Sequence, residues 1–368
     1  MARIWQNGFE LEYGDYAKAS RTLNFDNLIC TSSGESSTYY GSIGIAKNTR
    51  GGLGTRCLKL ATVGSTSWWS RSYATITIDE KEQIYLRVWI NPESNSLTYK
   101  CLSFEDSNNK VLFYVNLASI NNSEYKLLFY NYANTLMYEY STLVYNAWVK
   151  LDVKFIVNSS GEFQFKINDR LITTWIGNTK GTLGNIKHIR LGHPSSIYGA
   201  YTINYDDMAI NDVIGTVNNS WCGNGSIVNI HPYANGSVTD YEPLSGENWE
   251  NVSETVPDGD TTINTSYAIG DTDLFKFKLP DGISDDTVIN AIQVTVNARY
   301  TEQPMHIDNV AKIGETEITS DNTLTNAFSN YCMSIDMNPN TSAKFTAKEL
   351  RDDVEIGYRT KDVPQEDV

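Results

Sequence analysis

Apolar and polar residues alternate with a period of two along most of the chain, the repeat expected of strands with one buried face. Residues 5–12 open with such alternation, 34–54 are rich in Gly and Ser, and 56–60 alternate again. The cleanest run is 73–78 (YATITI), followed by 83–90 (QIYLRVWI), which stops at Asn91-Pro92-Glu93-Ser94. Residues 97–106 and 110–117 continue the series, and 125–132 with 135–140 are spaced as a hairpin. Residues 148–157 (WVKLDVKFIV) turn at Asn158-Ser159-Ser160-Gly161 into 162–168, and Asn168-Asp169 turns into 170–175. Residues 188–191 and 201–211 complete the set. Strands spaced about 8–12 residues apart, with no helical period between them, predict an all-β sandwich.

Asn211, Asp212, Gly215, Asn218, Asn219 and Ser220 interrupt the alternation with residue types that favour turns. They divide the chain into a sandwich over 1–214, a connector over 215–220 and a smaller β-rich domain over 221–368. Alternating segments recur in that domain at 226–231, 273–279, 288–299, 306–313, 315–319 and 331–337. Its one helix signal is a capping box, Thr346-Ala347-Lys348-Glu349, predicting a helix near 347–355 with Leu350 and Val354 on one face and Gly357 at its exit. Trp221 is the expected packing anchor between the two domains.

The 368 residues include 23 Tyr and 8 Trp, which adds to the β tendency. A formal net charge of −15 argues against a general nucleic-acid binder. Five scattered cysteines form no Cys-x-x-Cys pair and read as buried thiols of a reducing compartment. The N-terminal residues lack an apolar secretory core, and no run approaches the roughly 18 apolar residues of a membrane span.

Catalysis of glycan cleavage needs paired carboxylates, about 5–5.5 Å apart in a retaining hydrolase. The segment 83–90 has no carboxylate and 148–157 has only Asp152. Asp206 and Asp207 are adjacent, which in a regular strand sends them to opposite faces. The four histidines fit neither a metal pair nor a nucleophile motif, so the chain reads as non-enzymatic. No cofactor is expected; the hard oxygens that calcium would use are Asp206, Asp207, Asp212, Asp258 and Asp260. Aromatic side chains that could stack on a sugar are Trp68, Trp69, Tyr39, Tyr40, Tyr198 and Tyr201, with core or interface packing as the alternative.

The order of several motifs resembles a group of tailed-bacteriophage virion proteins with an N-terminal laminin-G/concanavalin-like jelly roll. These are NGFE at 7–10, Trp148 with the Gly161 turn and Asn168-Asp169-Arg170, IRLG at 189–192, YDDMAIND at 205–212 and NNSWCGNGSIV at 218–228. Further on, VPDGDTTINTSY, INAIQVTVNAR and NPNTSAKFTAKELRDDVEIGYR resemble the second domain of the same group. Arg170 stands where that group usually has Gly, and Cys222 where it has Pro. The resemblance implies a virion structural component, on the tail or decorating the head, assembled in the host cytoplasm as a homo-oligomer among other virion proteins. The alternative is a carbohydrate-binding module for a surface glycan.

Overall fold

The computed structural model describes residues 3–7, 21–25, 28–34, 41–47, 56–63, 69–95, 98–254 and 258–362. The chain divides into two compact units, Ala2–Val228 and Asn229–Val368. Residues 215–228, read from sequence as connector and start of the second domain, therefore belong to the first unit.

The first unit is built from β1 (Arg3–Asn7), β2 (Arg21–Phe25), β3 (Leu28–Gly34), β4 (Gly41–Lys47), β5 (Arg56–Thr62), β6 (Ser70–Lys81), β7 (Gln83–Asn95) and β8 (Tyr99–Glu105). It continues with β9 (Val111–Ser119), β10 (Glu124–Asn131), β11 (Leu136–Val144), β12 (Val149–Ile156), β13 (Gly161–Ile167), β14 (Arg170–Gly177), β15 (Ile186–Ile197) and β16 (Tyr201–Asn211). They form two antiparallel eight-stranded sheets, a jelly-roll sandwich. Sheet one has the order β14-β13-β12-β7-β16-β5-β4, with β1 also on β16; sheet two has the order β11-β10-β9-β8-β15-β6-β3-β2. The period-two alternation sends alternate side chains between the sheets. Phe104, Phe113, Phe129, Phe155, Phe163 and Phe165 meet there, with ring centroids such as Phe113–Phe155 at 5.1 Å and Phe129–Phe165 at 4.3 Å.

Asn168 and Asp169 join β13 to β14 with φ of 47° and 71°. A two-residue hairpin of type I′ needs positive φ at both central positions, and Asn and Asp tolerate it. Arg170 is then the first strand residue and needs no glycine.

The second unit centres on a five-stranded antiparallel sheet with the order Pro232–Thr239, Thr272–Phe277, Val354–Lys361, His306–Ile313, Thr316–Thr323. Its α-helix, α1 (Ala347–Asp352), starts at the predicted box: Glu349 N donates to Thr346 Oγ1 at 3.2 Å, and Thr346 N donates to Glu349 Oε2 at 2.7 Å. The helix is shorter than the sequence suggests. Asp353 caps it, while Val354 and Gly357 lie in the following strand, where Gly357 permits close approach of the neighbouring backbone.

Candidate functional site

On sheet one, β12, β7 and β16 are neighbours, and their outward side chains form cross-strand rows. Lys150, Trp89 and Asp206 make one row; Asp152, Arg87 and Ala209 the next; Lys154, Tyr85 and Asn211 the third. Four of these charged groups are almost fully buried although they face away from the core: Arg87, Lys150, Asp152 and Asp206 are 2%, 1%, 3% and 0% exposed. Buried charge is costly unless paired and hydrogen-bonded, so something must cover and pair it.

The cover is the segment that follows β16. Arg87 Nη1 donates to Gly223 O at 2.9 Å, and its Nε donates to Asp207 O at 3.1 Å. Lys150 Nζ donates to Asn224 Oδ1 and Asp169 Oδ1, and lies 3.8 Å from Asp152 Oδ2. Ile227 N donates to Asp207 Oδ1 at 2.6 Å. The Trp221 ring packs edge-on against Tyr85 at 5.4 Å with the Lys166 ammonium 3.8 Å from its centroid. Cys222, 5% exposed, points its Sγ at Tyr85 O and Ala209 O. The aromatic and cationic partners of the Trp221 ring, Tyr85 and Lys166, lie in the first unit. Lys150 holds the Asp169 carboxyl below its usual range. Burial pushes Asp152 up to about 6, against the opposing pull of Lys150 and Arg87.

Asp206 and Asp207 break the alternation expected of them. The register between β16 and β7 shifts between Asp206 and Ala209, and Asp207 takes φ of 45°. Tyr205 and Met208 both enter the core, so the two residues between them both face outward. This is a β-bulge, which redirects a side chain at the cost of one ladder position. Asp206 stands opposite Trp89, while Asp207 meets the covering segment.

Next to the covered rows, the sheet presents Trp89, Asn91, Glu93, Asn204 and Lys59. Trp89 is partly exposed, with Val88 and Ile90 on either side in the core. Asn204 pairs in register with Asn91 on one side and Lys59 on the other. Lys59 and Glu93 form an ion pair at 2.6 Å, and Asn204 Nδ2 donates to Glu93 Oε1 at 2.8 Å. The amide oxygens of Asn91 and Asn204 are buried and receive no hydrogen bond.

Of the described sugar candidates, Trp69 and Tyr198 flank the register pair of Ser70 and Ile197, and Tyr201 lies in the core. Tyr39, Tyr40 and Trp68 lie outside the described residues. Trp69 is half-buried just before β6, and Tyr198 is 59% exposed between β15 and β16. Tyr201 is core: it is fully buried, stacks on Tyr99 at 4.1 Å, and accepts a hydrogen bond from His193 N. As the first residue of β16 it points between the sheets, which removes it as a sugar platform.

The calcium candidates are dispersed. Asp212 pairs with Lys81 at 2.7 Å and accepts from Ile214 N. Asp258 accepts from Thr262 N and Oγ1, and Asp260 pairs with Arg299 at 2.8 Å. Among the described residues, no three His, Cys, Asp or Glu side chains converge as a metal site. Calcium takes 6–8 oxygens from one cage, and these carboxylates do not make one.

Trp89, Asn91 and Asn204 were missed in the sequence. Trp89 sits in the strongest strand of the chain, where an aromatic residue reads as one more strand former.

No protein-family profile and no curated protein matches the sequence. Among solved structures, the chain is similar to an endo-β-1,4-glucuronan lyase from the fungus Trichoderma reesei, with 12% identity and a TM-score of 0.36 over 46% of this chain and 87% of that one. It is similar to the alginate lyase Aly36B, with 10% identity and a TM-score of 0.33 over 46% and 86%. It is also similar to a carbohydrate esterase from the Shiga toxin-encoding bacteriophage phi24B, with 12% identity and a TM-score of 0.36 over 50% and 89%. The expectation of a non-enzymatic chain is corrected here. The similar structures bear the names of lyases and an esterase. The expectation itself leaned on strict strand alternation at Asp206 and Asp207, which the bulge removes.

Proposed function

We propose that the first unit binds a carbohydrate on the outer face of sheet one, at Trp89. One observation carries this reading: a partly exposed Trp stands on the sheet face beside the polar group of Asn91, Asn204 and the part-exposed carboxylate Glu93. A pyranose ring offers an apolar face to an indole and hydroxyl donors to a carboxylate, so the two needs match. The cation of this polar group, Lys59, is already paired with Glu93, which favours a neutral, hydroxyl-rich sugar over an acidic one.

Glycan-array binding by the intact chain is the test. Trp89→Ala is expected to weaken binding roughly tenfold or more, from loss of stacking and buried area. A blank array, or a variant that binds as well as the parent chain, would count against the site.

The virion location and association with other virion proteins form a second proposal, supported by the motif order in the sequence. The two motifs central to that order, YDDMAIND and NNSWCGNGSIV, fold together as a bulged strand and the segment clasped over it. Mass spectrometry of purified particles tests it, and absence of the chain would overturn it.

A further inference from the structure

The outer face of sheet two carries a different chemistry. Within a chain of net charge −15, it sets Arg190 on β15 and Tyr114 on β9 either side of Ser103 on β8, and places the Lys100 ammonium of β8 over the Tyr114 ring. The Lys100 ammonium lies 4.6 Å from the Tyr114 ring centroid, and among the described residues it forms no ion pair. The Arg190 guanidinium lies 5.7 Å from the Tyr73 ring centroid, pairs with the buried Glu105 at 3.2 Å, and donates to Asn109 Oδ1 at 2.7 Å. Its Nε is buried and has no acceptor. Arg71 approaches the same Tyr73 ring at 6.0 Å.

This arrangement is unfavourable in isolation. Two cations share a half-buried face, propped by tyrosine rings, and the one buried carboxylate there, Glu105, pairs with Arg190. Burial and the nearby Arg190 both hold the Lys100 ammonium below its usual range, despite Glu105. Cation–π contacts orient the charges without neutralising them. An anionic group seated against the Lys100 ammonium and the Arg190 guanidinium would supply countercharge.

We propose that the face formed by Lys100, Arg190 and Tyr73 is a binding site for an acidic polysaccharide bearing sulfate or carboxylate groups. Tyr73 and Tyr114 supply ring surface for the sugar, and the two cations hold its charged substituents. The high overall negative charge disfavours a nucleic acid, whose uniform phosphate backbone would meet repulsion beyond this patch. The site lies on the opposite sheet from Trp89 and does not depend on it.

Dextran sulfate is the probe, titrated against the full chain by calorimetry at low and moderate salt, with unmodified dextran as control. Dextran sulfate is expected to bind at low ionic strength and to lose affinity steeply as salt rises. Lys100→Gln should weaken it at least fivefold with an unchanged unfolding temperature, since that lysine pairs with no carboxylate. Arg190→Gln should weaken it more, although it strands Glu105. Trp89→Ala should leave it unchanged, which separates the two sites. The proposal is overturned by no binding of dextran sulfate, by equal binding of unmodified dextran, or by a Lys100→Gln chain that binds like the parent. Equal binding of a single-stranded oligonucleotide of matched charge would also overturn it, by marking an unselective polyanion surface.

Discussion

An alanine at Gly357 is expected to lower the unfolding midpoint of the second unit by about 10 °C or more. Gly357 sits in Val354–Lys361, with Thr272–Phe277 on one side and His306–Ile313 on the other. A Cβ there would lie 1.8 Å from Asp273 O, 2.8 Å from Asp273 C and 3.0 Å from Leu274 Cα. Those atoms are backbone in a paired strand, so no rotamer change relieves the clash. Asp273 is also fully buried, accepting from Asn248 Nδ2 at 2.9 Å and Tyr241 N at 3.1 Å. Moving its backbone disturbs that network together with the ladder. Overpacking of a core usually costs about 1–3 kcal/mol, and a rigid backbone contact belongs at or above the top of that range. For a unit of this size, about 3 kcal/mol corresponds to roughly 10 °C. Thermal unfolding followed by circular dichroism measures it, and an unshifted midpoint would show that the strands can part to admit a methyl group.

Much of this fold is written locally in the chain. The segment 201–211 forms a strand with those bounds, and the Asn168-Asp169 turn and Thr346 capping box form where their residue types predict. In each case neighbours in sequence decide the outcome: alternation, tolerance of positive φ, or a side chain reaching three residues along. What was not legible depends on distant partners. The bulge at Asp207 is coupled to Ile227, twenty residues further on, through one hydrogen bond. Lys150 and Asp152 alternate with apolar residues as on any solvated strand face, yet both are buried, with Lys150 bonded to Asn224 and Asp169, distant in sequence. Tyr201 sits next to a loop yet points inward because β16 begins with it. The unit boundary moved for the same reason. Turn-forming composition marks where a strand ends, whereas docking of Trp221, Cys222 and Gly223 onto β7 decides which unit the next residues join.

Replacing Lys150 with methionine is expected to destabilise the first unit by about 3–5 kcal/mol near neutral pH, and by much less near pH 5. The side chain is 1% exposed and bridges Asp169, Asn224 and Asp152. Methionine keeps the stem and removes the charge, which leaves Asp152 buried with Arg87 as its remaining nearby cation from the same rows. Removing one partner of a buried pair typically costs about 3–5 kcal/mol. The pH dependence follows from the sign of the Asp152 shift. Its folded pKa, about 6, lies above that of an unfolded aspartate, about 3.9. The folded state therefore binds the proton more tightly, and stability from this group declines as pH rises from about 4 to about 6, by roughly 3 kcal/mol in all. Without Lys150 the folded pKa climbs further, so the decline continues past pH 6 in the variant alone. The difference between parent and variant must then widen with pH. Denaturant unfolding at pH 5 and pH 7.5 reads it directly, and an equal loss at both would mean that Lys150 acts through packing rather than charge. The double variant Lys150→Met with Asp152→Asn is expected to recover most of the loss at pH 7.5. With the buried carboxylate gone, Arg87 keeps its bonds to Gly223 and Asp207, and the segment 221–227 stays on the sheet.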